Sequence, residues 1–318
     1  TGRLIPPQGL PLQVGAVVSN VETLAQVAAA AAGRPVTRKM VTIAGAVARP
    51  STFDAPLGVT YRDLIAAAGG ATCEEPVIQI GGMMMGRTSE SLDVPITKTD
   101  AGCIVLPRAH KAVERKLRPK AAQARIGRSA CDQCRYCTEF CPRFLLGYAV
   151  EPHQVMRGLG FTAAGSSQWN PWAALCCSCG LCTLYSCPED LYPKEACDDA
   201  KVELRATGFK WPGPAPEKPH PFHDGRRVPI SRLVQKLGIG TWDLPAPLVP
   251  FSSAPDRLVL PLKQSAGTAA SARVKPGDRV KEGDVLAEPA ANALGAILHS
   301  PMNARVESLG EAIVLVKA

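Results

Sequence analysis

Nine of the twelve cysteines in this 318-residue chain fall in two short runs, eight of them at regular spacing, and nothing else in the sequence constrains the fold as tightly. The first run is Cys131-x2-Cys134-x2-Cys137-x3-Cys141-Pro142, and the second is Cys176-x2-Cys179-x2-Cys182-x4-Cys187-Pro188. Three thiols two residues apart let one curled loop present three sulfurs, and its backbone N–H groups, to a single small object. The first spacing is the compact bacterial arrangement for a [4Fe–4S] cluster, and in two-cluster ferredoxins the fourth cysteine of each run ligates the other cluster. The expected ligand sets are therefore Cys131, Cys134, Cys137 with Cys187, and Cys176, Cys179, Cys182 with Cys141. Electron transfer is the function class this favours.

The competing readings fit less well. Zinc prefers two Cys-x2-Cys pairs well separated in sequence, whereas the first run packs four cysteines into eleven residues. Tightly spaced cysteines also suit a metal site better than a disulfide framework. The second run departs from the pattern in two ways: it has four residues before Cys187, and it carries an extra thiol, Cys177. Using Cys177 in place of Cys176 would break the x2 spacing. Cys73, Cys103, Cys177 and Cys197 are expected to be packing residues, since free cysteine behaves as a small apolar side chain. Unpaired thiols beside clusters suit a reducing cytoplasm.

Composition is that of a globular protein, 46% hydrophobic and 20% charged. No apolar run approaches the ~18 residues of a membrane helix, and no signal peptide is expected. A chain opening on Thr1 in mid-motif is expected to be a fragment or processed product. The net charge is +8, and much of it lies between Arg108 and Arg128. That stretch reads as a solvated face, with docking of an acidic partner or anionic cofactor as the alternative. It interleaves no aromatic residues, so nucleic acid is not an expected partner.

The order of segments suggests a multidomain α+β chain. Residues 1–35 read as the end of a larger domain, with a helix near Val21–Ala32 capped by Ser19 or Asn20. Residues 36–108 read as a small mixed module. It holds a strand at Val41–Ala44, a capping box at Thr60-x-x-Asp63 opening a helix from Tyr61 to Ala68, and a strand at Val77–Ile80. That strand runs into Gly81-Gly82-Met83-Met84-Met85-Gly86. The glycines could let a flat cofactor approach the backbone; a tight turn with methionines filling the core is the other reading. Residues 109–205 carry both cysteine runs and read as an all-helical ferredoxin-like domain. Residues 206–250 are proline-rich and read as an extended linker, with a short helix within 226–237. Residues 251–318 read as a compact β module with turns at Lys275-Pro276-Gly277-Asp278 and Glu282-Gly283. It lacks a modifiable lysine at its expected hairpin tip, Ala290–Ala293. There is no G-x-G-x-x-G and no Walker A, so NADH has no evident site.

These residues resemble a known family. Gly15 to Leu24 is similar to the segment that lines the FMN pocket in the flavin subunit of respiratory complex I and in RnfC proteins, with Ser19 replacing its first Asn; the resemblance implies flavin contacts at Asn20 and Thr23. Residues 36–108 resemble the SLBB β-grasp domain that follows it, through Gly81–Gly86 and Pro95-Ile96-Thr97-Lys98-Thr99. Lys275–Leu286 and His299-Ser300-Pro301 resemble the barrel-sandwich hybrid domain of RnfC, here placed C-terminally. That order is similar to PduS-type cobalamin reductases of bacterial microcompartments. The resemblance implies a route from NADH through FMN and two [4Fe–4S] clusters to cobalamin. It also implies cobalamin-dependent enzymes, an adenosyltransferase or a shell protein as partners. Lacking a glycine-rich phosphate loop, this chain is expected to bind FMN weakly or not at all. An open glycine-lined surface suits the flat corrin, so Gly81, Gly82, Met84 and Gly86 are the candidate contacts. His110 and His153 are the candidate cobalt ligands. Two other functions remain open: an RnfC-like or hydrogenase-associated subunit with a protein acceptor, and a docking scaffold with relay clusters.

Overall fold

A computed structural model of the chain describes residues 2–161, 166–253 and 255–318. The chain divides into two compact units, residues 19–113 with 241–318, and residues 1–18 with 114–240.

The first unit is built on strands. Helix α1 (Val21–Ala31) starts at Asn20, whose side chain accepts the Glu22 N–H at 2.9 Å. Glu22 also holds the Lys39 ammonium and the Met40 N–H, fastening α1 to the first strand. Strands β1 (Arg38–Gly45), β2 (Ser51–Pro56), β3 (Pro76–Ile80), β4 (Arg87–Ser89), β5 (Gly102–Pro107) and β6 (Leu248–Val249) form one sheet, in the order β4-β3-β5-β1-β2-β6. Alternate residues of β1 are buried, Val41 and Ile43 completely, as a sheet with one face on the core requires. Helix α2 (Tyr61–Ala67) begins at the Thr60 box: Thr60 Oγ1 accepts the Asp63 N–H at 3.2 Å, and Asp63 Oδ2 accepts the Thr60 N–H at 3.3 Å. Tyr61, Leu64 and Ile65 then face the sheet core.

The C-terminal strands are β7 (Arg257–Pro261), β8 (Ser271–Ala272), β9 (Arg279–Val280), β10 (Val285–Glu288), β11 (Leu298–His299), β12 (Ala304–Leu309) and β13 (Ala312–Lys317). They form two small sheets, β7-β13-β12-β9 and β11-β10-β8, and both contribute to one core. The two turns that lead into β9 and β10 are copies: Asp278 accepts from the Lys275 N–H and Asp284 from the Lys281 N–H, each at 2.7 Å. The turn after β10 closes through Ala293 N–H to Ala290 O. Leu258, Leu260, Leu286, Leu298 and Leu315 join Ile43, Phe53, Tyr61 and Ile78 in one continuous core, so the sheet and the barrel are packed as a single body. Lys98 reinforces this, its N–H reaching Gln264 Oε1 at 3.0 Å and its ammonium reaching Ile297 O at 2.6 Å.

The second unit is helical. Helix α3 (Lys111–Leu117) leads into α4 (Lys120–Ala130), α5 (Tyr136–Glu139), α6 (Pro142–Leu145), α7 (Pro152–Gly158), α8 (Pro193–Ala206) and α9 (Ile230–Leu237). No strand occurs in this unit among the described residues. The first part of the proline-rich stretch runs along the helices, and α9 interrupts it. His220 N–H donates to Leu145 O at 2.9 Å, its ring lies 4.4 Å from Phe144, and Trp211 packs on the Tyr148–Val150 cluster.

Replacing Thr60 with Ala removes the cap of α2 and is expected to cost ~1 kcal/mol. Anaerobic thermal unfolding checks this: Thr60→Ala should melt a few degrees below wild type and Thr60→Ser close to it.

Candidate metal centres

The two cysteine loops are folded by left-handed residues at matching positions. In the first, Gln133 and Arg135 have φ of 62° and 71°; in the second, Ser178 and Gly180 have φ of 55° and 83°. Each pattern reads Cys, any residue, left-handed, Cys, left-handed, any residue, Cys. Such alternation turns successive N–H groups to one side and makes a concave donor surface. The consequence is visible at the sulfurs. Cys131 Sγ accepts the Gln133 N–H and Cys134 Sγ the Tyr136 N–H; Cys176 Sγ accepts the Ser178 N–H and Cys179 Sγ the Leu181 N–H. The alignment pairs Cys176 with Cys131 and places Cys177 opposite Asp132.

The fourth cysteines arrive by different routes. Cys141 N–H closes a tight turn on Thr138 O at 2.9 Å. The second run absorbs its additional residue in a π-helical turn, Cys182–Ser186, with Cys187 N–H on Cys182 O at 3.2 Å. A π-turn is the local device by which a helix takes in one more residue. Cys141 Sγ accepts from the Phe144 and Arg143 N–H groups, and Cys187 Sγ from those of Leu191 and Glu189.

One cavity is lined by Cys131, Cys134, Cys137 and Cys187. Burial pushes all four of these thiols up, Cys137 the most. Of the other set, Cys141 packs with Cys176 around Tyr148 and Leu175, and Cys182 lies within electrostatic reach of Cys141 and Cys176. Cys179 stands beside Cys182 with its thiol turned onto Cys177. Burial pushes Cys141 up to about 11. A buried thiol that would otherwise stay protonated gives up its proton when a metal takes the sulfur. The donor set, thiols ringed by N–H groups, fits an iron–sulfur cluster in both places. Among the described residues no group of three His, Cys, Asp or Glu side chains could hold a single metal ion.

The other expected contacts lie elsewhere. Gly81 and Gly82 are exposed, Met83 is buried, and Met85 points outward. Gly81 has φ +82°, and Gly86 N–H closes the loop on Gly82 O at 2.8 Å. A Cβ on Gly86 would come within 2.3 Å of Ile80 O, whereas one on Gly82 would meet nothing within 4 Å. Gly86 is thus needed by the turn itself, and Gly82 faces open space. Asn20 Oδ1 is used in capping α1, and Thr23 is exposed on that helix. His153 is not a surface ligand. It is 8% exposed and lines the first cysteine cavity, with Nδ1 2.8 Å from Thr138 Oγ1 and Nε2 3.7 Å from Glu151. His110 Nδ1 accepts the Ala112 N–H at 3.2 Å, and the ring rests edge-on to Trp242.

The basic stretch is not uniformly solvated. Arg115 is 7% exposed. Its guanidinium donates to Thr183 O at 2.8 Å and Leu191 O at 2.9 Å, pairs with Asp190, and covers the Tyr192 ring. One side chain therefore ties the residue after Cys182 to the segment after Cys187. Its place in a run of exposed cations hides it in the sequence. Cys197 is fully buried against Val155 and Ala173, and Cys103 is buried in β5.

Residues 130–192 match the 4Fe-4S dicluster domain family, residues 40–88 the SLBB domain, and residues 248–317 the RnfC barrel sandwich hybrid domain. The chain is 38% identical over 317 residues to the cobalamin reductase PduS of Salmonella typhimurium, covering 99% of this chain and 70% of that protein. It is 36% identical over 318 residues to the cobalamin reductase PduS of Citrobacter freundii, with the same coverage, 99% and 70%. A shorter similarity, 36% over 148 residues, links 46% of the chain to 30% of a component of the proton-translocating ferredoxin:NAD(+) oxidoreductase complex of Clostridium ljungdahlii.

Arg115→Met strands the Thr183 and Leu191 carbonyls in the interior, at ~1–3 kcal/mol for each unsatisfied group. The variant should melt several degrees lower under anaerobic conditions and lose iron faster on gel filtration. An unchanged melting temperature would show that the guanidinium does not hold these loops.

Proposed function

This chain belongs to the family of PduS cobalamin reductases, and on that premise we propose that it is an oxidoreductase passing single electrons through two [4Fe–4S] clusters to the cobalt of cobalamin. The observation that carries the reading is the matched pair of left-handed cysteine loops, each with three thiols and its own backbone donors. Clusters of this kind supply one-electron chemistry at potentials set by charge, hydrogen bonds and exposure. The residues proposed to hold them are Cys131, Cys134, Cys137 and Cys187, and Cys176, Cys179, Cys182 and Cys141.

The protein's own part is positional. The N–H groups of Gln133, Tyr136, Ser178 and Leu181 stabilise thiolate charge and orient the sulfurs. Thr138, wholly buried, fixes the His153 ring in the wall of the first cavity. Arg115 keeps the Cys182–Ser186 turn and the Cys187–Tyr192 segment in register. For the corrin we propose the Gly81–Gly86 loop, with Gly82 and Met84 as contacts. The open space over Gly82 supports this reading.

The finer features rest on the family alone: NADH as donor, FMN as the step between hydride and single electrons, a bacterial microcompartment as the setting, and an adenosyltransferase or shell protein as neighbour. Asn20 and Thr23 do not by themselves make a flavin site, since one oxygen is spent on a cap and the other side chain stands in solvent. Among the described residues no helix is long and apolar enough to cross a membrane. The similarity to the Clostridium ljungdahlii protein supports a second reading, in which the acceptor is a protein.

Two experiments test this. Anaerobic preparations should hold about eight iron atoms and about eight sulfides per chain. Cys187→Ser should remove the EPR signal of one cluster and spare the other; zinc, or a single cluster in wild type, would end the reading. Reduced protein mixed with hydroxocobalamin should shift the corrin bands, and Gly82→Val should slow that reduction at least several-fold without loss of iron. Unchanged corrin spectra at every concentration would favour the protein acceptor.

A further inference from the structure

The second cysteine loop borders a polar cavity of ≈ 180 Å³ in the helical unit, lined by Pro6, Gln8, Gly9, Arg143, Tyr148, Ala174, Leu175, Cys176 and Lys201. Two cations reach it from different helices, Arg143 from α6 and Lys201 from α8. Among the described residues neither cation is ion-paired with a carboxylate. Arg143 lies over the Tyr148 ring, 4.9 Å from its centroid, and reaches the Cys177 thiol. Lys201 Nζ donates to Cys176 O at 2.7 Å and to Ser178 Oγ at 3.0 Å, and Asp198 stands one hydroxyl further away. Pro6, Gln8 and Gly9 supply a further wall. Tyr148 OH donates to Ile5 O at 2.6 Å and Gln8 Oε1 accepts the Trp211 N–H at 3.4 Å, so that wall is held in place.

We propose that this cavity is a docking site for a phosphate ester carried by the redox partner of the second cluster. The inference rests on the reading of Cys176 as a cluster ligand. A guanidinium offers a planar fork and an ammonium a compact point charge, the combination suited to phosphate oxygens. The cavity is polar and walled in part by the residue that carries the second cluster's first thiol. A molecule anchored there by its phosphate would be held within reach of that cluster, without needing a large apolar interface. Two redox molecules of the proposed route carry such a group, FMN as a monoester and cobalamin as the phosphodiester of its nucleotide loop. The competing explanation is that Arg143 and Lys201 only offset the negative charge of the cluster.

The test compares two pairs of probes by equilibrium binding to the anaerobic, cluster-loaded chain: FMN against riboflavin, and hydroxocobalamin against cobinamide, which lacks the phosphodiester. Within at least one pair the phosphate-bearing member should bind about tenfold tighter, and the pair that does so names the source. Arg143→Gln and Lys201→Gln should abolish that preference at unchanged iron content. Should either variant lose iron, Gln8→Glu decides. It places a negative charge in the cavity at a residue outside both cysteine runs, and it should abolish the preference with the clusters intact. No preference in either pair, or a preference that survives all cluster-loaded variants, overturns the proposal. The iron and sulfide count is read on the same samples, so absence of the second cluster in wild type is recognised as failure of the ligand assignment and not of the phosphate site.

Discussion

The helical unit depends on how its two cysteine loops are curled. A loop can bring three thiols to one side only if its backbone reverses direction twice within seven residues, and each reversal here is a left-handed residue. Left-handed backbone at a residue with a side chain is unfavourable. Gln133, Arg135 and Ser178 nevertheless adopt it. What they obtain is an N–H group aimed at each of the first two sulfurs of each loop. A thiolate without such donors, removed from water, carries a heavy desolvation penalty. The strain and the hydrogen bonds therefore belong to one design, and the short helices α5 and α6 and the π-turn follow from where it leaves the chain.

Arg115 addresses the next problem, which is holding the segments after Cys182 and Cys187 against one another. Backbone carbonyls near a cluster site cannot all be met by regular helix, because the π-turn and the proline after Cys187 interrupt it. A guanidinium with five donors can satisfy two carbonyls and a carboxylate at once. Lysine could not do so in the same geometry. The side chain reaches in from α3, outside both motifs, so the loops are supported by a residue that their own spacing does not announce.

Much of the architecture is legible in the sequence because it is local. Thr60 and Asp63 spell the cap of α2, Asn20 the start of α1, and Pro276-Gly277 the turn before β9. The cysteine runs mark where the thiol-lined cavity lies. The illegible features are those made by distant residues. Leu248–Val249 joins the sheet beside β2, almost two hundred residues away, from within a stretch whose prolines suggest only extension. Arg115 looks like its solvated neighbours because burial is decided by what folds over it. His153 reads as a possible ligand, but its partner Thr138 lies one residue after Cys137 and is recognisable only in three dimensions. In the Gly81–Gly86 loop, sequence alone does not separate the glycine the turn requires, Gly86, from the one facing open space, Gly82.

The two loops also show what the motif constrains. Arg135 and Gly180 occupy the same backbone position with no common side-chain chemistry, so the requirement there is a left-handed φ, which glycine meets without strain and arginine meets at some cost. Asp132 and Cys177 occupy another shared position. Asp132 Oδ1 accepts the Cys134 N–H at 3.3 Å, and Cys177 receives the Cys179 thiol and Arg143. Both residues gather donors at the rim of the loop without belonging to its three thiol corners. Cys177 stands where the first loop has a carboxylate, next to the Arg143 cation. The matching left-handed positions in the two loops set Cys176 in register with Cys131.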